Sequence, residues 1–381
     1  MVAVPGARRV AVDLTSQLTP LTGVGVMARE LVARLARRDD LALTAFAVTW
    51  RGRGRLREAV PAGVDVVDRP MAARPLHEAW RRADHPLIDR WIGRHDVVWG
   101  PNFVVPPTRA AEVMTVHDLT PVRYPELANE FTLAFPGMIR RALGRGAWVH
   151  TPSEFVRAEV VDVFGADPDR VVAIHHGVGP DGAGPSDPGR GRALAGGDRF
   201  VLAVGTVEPR KDLPTLVRAF AALAADDPDL RLVIAGGDGW GAEALTAAIA
   251  AAPHRGRIVR LGRVDERTRV DLLAAASVYA FPSVYEGFGL PPVEAMSAGV
   301  AVVASRAGAL PEVCRDGADL VEPGDADGLA AALARVLGDE AHRAALVARG
   351  RRVAAGYDWT RSADLLADLF QAADDRPVTA R

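Results

Sequence analysis

The chain has 381 residues, 49% of them hydrophobic, and a formal net charge of −2. That length permits two domains with separate cores, and the near-neutral balance excludes a global field favouring nucleic acid. A single cysteine, Cys314, excludes an intramolecular disulfide and fits a reducing compartment. With no signal-peptide core and no apolar run of membrane-spanning length, the sequence predicts a soluble, cytoplasmic protein.

Strand and helix patterns alternate through the first half. Arg9 to Leu14 reads as a strand, Val24 to Arg37 as a helix and Leu41 to Val48 as a strand. Val97 to Trp99, Val113 to Val116 and Ala147 to Thr151 read as further short strands. Gly23-Val-Gly-Val-Met-Ala28 has the form of a dinucleotide fingerprint, but a long loop separates it from its strand. The strand Leu41 to Val48 ends in Thr49-Trp50, with no acid for a ribose, which excludes a nicotinamide enzyme. Arg51-Gly-Arg-Gly-Arg-Leu-Arg57 reads as a mobile, solvated loop. The stretch His77 to Arg94, with Trp80, Arg81, Arg82, Arg90 and Trp91, reads as solvated surface, with an amphipathic helix on anionic lipid as the second reading. His117 follows the strand Val113 to Val116, where a lone histidine serves either structure or chemistry.

Residues 177–198 are rich in Gly, Pro and Asp, lack periodicity and read as a linker. They separate a domain at 1–176 from one at 199–360, with a last helix and tail at 361–381. The alternation in each half implies an α/β fold with two parallel sheets and right-handed crossovers. Ligands of such sheets lie beyond the carboxyl ends of the strands, so the cleft between the halves is the expected site.

The second half opens with the apolar strand Phe200 to Val204, ended by Gly205. Asp212 reads as an N-cap, and Leu213, Leu216, Val217 and Phe220 recur at helical spacing. Arg210 and Lys211 therefore stand at a helix start, where unpaired N–H groups and the helix dipole favour anions. Two cations there are explained by a bound polyanion or by a solvated loop. Lys211 is the one lysine among 46 basic side chains, so this position keeps a compact ammonium where the rest of the chain uses planar forks.

Downstream, the strand Ser277 to Phe281 leads into Gly287-Phe288-Gly289-Leu290, whose glycines let backbone N–H groups approach a ligand. Pro291 and Pro292 open a short helix that Gly299 closes. Glu294 is placed in the first helical turn, facing the same crevice as Glu286 in the loop. A carboxylate there either accepts from the vicinal hydroxyls of a ribose or simply complements the helix dipole.

The pattern Glu286-x7-Glu294, with Gly-Phe-Gly-Leu between and Arg210-Lys211 upstream, resembles the signature of family-4 retaining glycosyltransferases of GT-B architecture. Thr22-Gly-Val-Gly, Val116-His-Asp-Leu119, Thr151-Pro-Ser-Glu-Phe155, His176-Gly-Val178 and Leu261-Gly-Arg-Val264 fall in the family's order, so the resemblance covers nearly the whole chain. It is strongest to bacterial mannosyltransferase-like members. The resemblance implies two Rossmann-like domains facing a cleft, with the C-terminal helix crossing back to the first. It implies a nucleotide-sugar donor, with mannose from GDP-mannose favoured, and a carbohydrate or lipid-linked acceptor. The latter adds peripheral contact with the inner face of the plasma membrane as a second expectation for its location.

By the same resemblance Arg210 and Lys211 stabilise the departing diphosphate, His117 lies near the C6 hydroxyl of the sugar, and Glu286 binds sugar hydroxyls rather than attacking. Gly23 approaches the donor phosphate, Val264 meets the base through its backbone, and Asp118 either orients His117 or caps its turn. Met27 stands where the family often has His or Tyr. No cofactor is implied. With two cations, a helix end and no Asp-x-Asp motif, the reaction is expected to need no metal. Two alternatives remain: a GT-B sugar-nucleotide epimerase, and a non-catalytic nucleotide-sugar-binding accessory subunit. A phosphorylase would need a pyridoxal lysine, and the only lysine is already assigned.

Overall fold

The computed structural model describes residues 6–18, 22–179 and 185–375. The chain divides into two compact units: Met1–Gly177 with Asp358–Arg381, and Val178–Tyr357. In the first, the strands are β1 (Arg8–Asp13), β2 (Leu41–Phe46), β3 (Asp65–Val66), β4 (Val97–Gly100), β5 (Ala111–Thr115), β6 (Trp148–Thr151) and β7 (Val171–Ala173). They form one parallel sheet in the order β3-β2-β1-β4-β5-β6-β7. Its helices are α1 (Gly23–Leu35), α2 (Arg53–Ala59), α3 (Ala73–Arg82), α4 (Asp89–Ile92), α5 (Thr120–Arg123), α6 (Phe135–Gly144) and α7 (Glu154–Phe164).

The short apolar strands are covered on both faces, so Val10, Ala11, Val12, Val97, Val98 and Trp99 are all fully buried. Ser153 caps α7 by accepting from Val156 N at 3.2 Å, and Gly165 ends it at φ +62°, a conformation that favours glycine.

The second unit opens with α8 (Pro188–Ala195) and alternates β8 (Phe200–Val204), α9 (Leu213–Asp226), β9 (Arg231–Ala235), α10 (Ala242–Ala251), β10 (Ile258–Gly262), α11 (Glu266–Ala275), β11 (Val278–Phe281), α12 (Leu290–Ser297), β12 (Val302–Ser305), α13 (Leu310–Cys314), β13 (Ala318–Val321), α14 (Ala326–Gly338) and α15 (Glu340–Ala354). The sheet is again parallel, ordered β10-β9-β8-β11-β12-β13. The last helix, α16 (Trp359–Asp375), belongs to the first unit. Its buried Trp359, Ala363, Leu366, Ala367, Phe370 and Ala373 line one face at helical spacing. Phe370 meets Trp99 of β4 with ring centroids 5.7 Å apart, and Ser362 Oγ donates to His175 O at 2.6 Å.

Four readings need correction. Residues 188–195, placed in a linker, form α8. Asp187 caps it by accepting from Arg190 N, and Arg190 pairs with the buried Asp271 of α11 at 2.7 Å. Gly191 lets the helices touch, since a Cβ there would stand 2.2 Å from Asp271 O. Residues 180–184 of the same stretch, and 376–381 of the tail, lie outside the described residues. The arginine-rich stretch after Trp50 is not a loop but becomes α2 from residue 53 onward, with Leu56 buried as its anchor.

The basic-aromatic stretch is broken into α3 and α4 rather than forming one amphipathic helix. Trp80 is buried and donates from Nε1 to Pro86 O at 2.9 Å, so it cannot rest on lipid. Asp212 stands at the N-cap position of α9 in the left-handed region (φ +43°). Its side chain makes no cap bond and accepts instead from Thr215 Oγ1 at 2.6 Å.

Candidate active site

In the second unit, the loop after β8 turns through Pro209–Lys211 and enters α9. The turn is fastened to the loop after β11 by a hydrogen bond from Val284 N to Arg210 O, at 2.9 Å. Three expected site residues meet there. Arg210 Nη1 lies 2.6 Å from Glu286 Oε2 and donates to Tyr285 O at 2.9 Å. Lys211 Nζ donates to Glu286 Oε1 at 2.6 Å and stands 4.4 Å from the centroid of the Phe281 ring. A small pocket walled by Val204, Gly205, Ile234 and Phe281 adjoins the Lys211 stem.

The electrostatics follow from burial: the side chains of Lys211 and Glu286 are only 13% and 8% exposed. Burial alone would raise the Glu286 carboxyl, but the pull of Arg210 and Lys211 overcomes it and brings the group to about 2. Glu286 is thus a fixed anion that neither donates nor takes a proton near neutral pH. Burial pushes the Lys211 ammonium below its ordinary value, with Arg210 adding to the shift and Glu286 opposing it. Glu208 Oε2 also lies 3.5 Å from Arg210 Nη2, so two cations face two carboxylates in a desolvated centre, with both cations held in place for a phosphoanion.

Glycine shapes the backbone around Glu286. Gly308 lies at φ +55°, and a Cβ there would stand 2.2 Å from Glu286 O, so any larger residue forces that loop away. Ala309 N also donates to Glu286 O at 2.8 Å. Gly289, at φ +94°, precedes α12, and Leu290 is that helix's first residue. Gly287 is buried in the same loop. Phe288 is buried with its ring edge-on to Tyr357 at 5.5 Å. The ring is therefore a core contact, which leaves only the backbone of Phe288 for a ligand.

Glu294 lies in the second turn of α12, not the first, because the helix begins at Leu290. Its Oε2 accepts from Arg269 Nη1 of α11 at 2.5 Å. Burial raises the Glu294 carboxyl, and Arg269 opposes that shift. Val264 is half-buried just ahead of Asp265, which caps α11 by accepting from Thr268 N at 2.7 Å. Arg269, Gly308 and Phe281 were not singled out in the sequence. The one available signal was the capped start of α11 at Asp265, which places Arg269 one turn inside the helix.

In the first unit, His117 follows β5, and its Nε2 is 2.7 Å from Pro101 O. A carbonyl only accepts, so Nε2 carries the hydrogen and Nδ1 presents a lone pair. Among the described residues Nδ1 has no hydrogen-bond partner. Burial pushes the imidazole below its ordinary value, against the Pro101 carbonyl and the Asp118 charge. Asp118 Oδ1 accepts from Thr120 N at 2.9 Å, so of its two readings the structure displays the turn-capping one. Phe103, at φ +59°, packs edge-on against His117 with centroids 5.3 Å apart. Gly23 is the exposed first residue of α1, and Met27 is fully buried, which removes it from any ligand surface.

The twin parallel sheets, with a buried cation pair beyond the carboxyl end of β8, define an α/β protein with an anion-ready site. Comparison with known proteins makes it a glycosyltransferase. The model for glycosyl transferases group 1 matches residues 190–353, and that for glycosyltransferase family 4 matches residues 21–181. The chain is 30% identical over 355 residues to the O-antigen chain mannosyltransferase B of Escherichia coli, covering 89% of this chain and 93% of that one. It is 32% identical over 326 residues to a phosphatidyl-myo-inositol mannosyltransferase of Mycolicibacterium smegmatis, covering 80% and 79%. Its fold matches the crystal structure of Anabaena HepE in complex with UDP and glucose at a TM-score of 0.74 and 18% identity, over 96% of this chain and all of that one. The chain belongs to the family-4 glycosyltransferases and has their GT-B type of fold, two Rossmann-like parallel-sheet domains.

Proposed function

We propose that the enzyme transfers a hexose, with mannose from GDP-mannose favoured, from a nucleotide-sugar donor to a hydroxyl of a carbohydrate or lipid-linked acceptor, retaining the anomeric configuration. The observation that carries this reading is the pair Arg210 and Lys211, each 2.6 Å from the single carboxylate Glu286. Glycosyl transfer separates charge: the sugar becomes cationic while the diphosphate leaves as an anion. Preorganised cations at the leaving group lower that barrier, and loss of one such donor typically costs about 2.7–4 kcal/mol.

Glu286, permanently ionised, supports positive charge on the sugar side and accepts from its hydroxyls. In this reading Glu294, steered by Arg269, accepts from the ribose hydroxyls, and Val264 meets the base through its backbone. Gly23 and the loop Gly287 to Leu290 supply backbone N–H groups to the phosphates. His117 offers its Nδ1 lone pair to a sugar hydroxyl. The departing phosphate takes the acceptor proton on the face from which it leaves, so that the configuration is kept. The two cations fill the role a divalent metal would otherwise take, and no other cofactor enters. The mannosyltransferase relatives favour mannose, and UDP in HepE supports a nucleoside diphosphate as leaving group.

The test is a thermal-shift panel of GDP-, UDP- and ADP-sugars, followed by NMR of the anomeric proton in the product. GDP-mannose is expected to stabilise most and the α-anomer to persist. An inverted product, or no shift with any donor, contradicts the reading.

A further inference from the structure

The end of β1 carries a carboxylate that none of these roles uses. Strand order in the first sheet reverses at β1, with β2 and β3 on one side and β4 to β7 on the other. In open parallel sheets a ligand crevice lies outside the carboxyl ends of the strands at such a reversal. Asp13 is the last residue of β1, and only β4 separates β1 from β5, which leads to His117. The carboxylate is half fixed and half available. Its Oδ1 accepts from Thr15 N at 2.9 Å and from Thr15 Oγ1 at 2.5 Å, and that hydroxyl is itself held by Val48 N at 2.8 Å. Its Oδ2 accepts no hydrogen bond among the described residues. Burial raises the carboxyl, while Thr15 and the charge of His77 on α3 draw it back.

We propose that Asp13 binds the acceptor: Oδ1, held by Thr15, orients the group, and Oδ2 accepts a hydrogen bond from a hydroxyl of a neutral saccharide. This rests on the glycosyl-transfer reading above. Charge selects acceptor over donor, because a carboxylate repels a diphosphate while a sugar hydroxyl donates to it. The same repulsion selects a neutral saccharide over a phosphorylated polyol.

The experiment uses the full-length enzyme, its best-binding nucleotide sugar, and two kinds of acceptor probe: octyl glycosides (α-mannoside, β-glucoside, β-galactoside) and D-inositol 3-phosphate. Asp13→Asn keeps the shape and an oxygen for Thr15. It is expected to raise the glycoside KM about tenfold or more, the loss of a charge-assisted hydrogen bond. Donor Kd by calorimetry and the rate of donor hydrolysis by water should stay unchanged. Monodeoxy derivatives of the best glycoside, assayed on the wild-type enzyme, give a reading that does not depend on how the variant folds. One of them should show the same rise in KM, with no further rise on Asp13→Asn.

An unchanged glycoside KM, an equal loss of donor affinity, a deoxy series without effect, or preference for D-inositol 3-phosphate overturns the proposal. If the wild-type enzyme binds no nucleotide sugar, the donor reading fails and this proposal falls with it. Intact donor binding with an unchanged acceptor KM removes this proposal alone.

Discussion

Replacing Lys211 by methionine removes the ammonium while keeping a straight, apolar stem of similar length. In the resting protein Glu286 would still hold Arg210 at 2.6 Å, so no buried charge is left wholly unpaired. Breaking a buried pair outright costs about 3–5 kcal/mol, and with one partner retained the expected loss of stability is a fraction of that, about 1–2 kcal/mol. The effect on chemistry is larger. A cation about 4 Å from a departing phosphate oxygen contributes up to ~4 kcal/mol in a partly buried setting. Loss of one preorganised donor costs about 2.7–4 kcal/mol of barrier, or about 100- to 1000-fold in kcat.

Release of nucleoside diphosphate at saturating donor measures that rate, and circular dichroism checks the fold. Lys211→Arg should restore little. The ammonium sits over the Phe281 ring, and its Cε lies 3.7 Å from where a Gly205 Cβ would stand, a slot unsuited to a planar guanidinium. A folded Lys211→Met variant turning over at the wild-type rate would refute the reasoning.

Glu294→Ala should weaken GDP binding by about tenfold or more, as loss of a hydrogen bond to a charged group implies, with less effect on kcat. Equal affinity by calorimetry removes the ribose role. Glu286 is held at about 2 against an ordinary 4.5. A depressed carboxyl stabilises the fold above its unfolded value and loses that contribution as pH falls from about 4.5 to about 2, about 3 kcal/mol in all. Glu286→Gln should abolish this acid-dependent loss and lower stability at neutral pH, as read by denaturant unfolding.

His150 has the opposite chemistry and the same sign. Fully buried between Thr115 Oγ1 and Ile174 O, it is lowered by burial to about 4. The unfolded chain therefore binds the extra proton, and stability falls as pH drops from about 6.5 to about 4, by about 3 kcal/mol. Glu112, raised by burial to about 7 against the pull of Arg145, opposes this over part of the window, so the difference between wild type and His150→Gln isolates the histidine. Tryptophan fluorescence can follow it, since Trp240 is the only one of seven tryptophans in the second unit. Identical pH profiles for the two proteins would contradict it.

Most of the alternating architecture was legible because most strands carry a short, mainly apolar run bounded by turn residues, as in Phe200 to Val204. The meeting of the cation pair with Glu286 was legible too, since each lies in a loop after an apolar strand, whereas Glu294 was expected in the first turn of its helix and lies in the second. What escaped depends on distant partners. Pro188-Gly-Arg-Gly-Arg has poor helix propensity, and α8 forms because Gly191 lets it lie on α11 and Asp271 receives Arg190.

Nothing in the sequence sets Arg269 apart among 45 arginines; only the fold brings it to Glu294. Gly308 gives no signal in the sequence, because its close approach to Glu286 O exists only in three dimensions. Trp80 misled in the other direction. In sequence it crowns a basic stretch, whereas in the fold the Pro86 carbonyl takes its N–H and the core takes its ring.

The most direct test is a crystal structure of the enzyme with the nucleoside diphosphate that binds best. The account expects the diphosphate oxygens within hydrogen-bonding distance of the Arg210 guanidinium and Lys211 Nζ, with the ribose hydroxyls on Glu294. A diphosphate bound elsewhere, with Arg210 and Lys211 still closed on Glu286 alone, would contradict it.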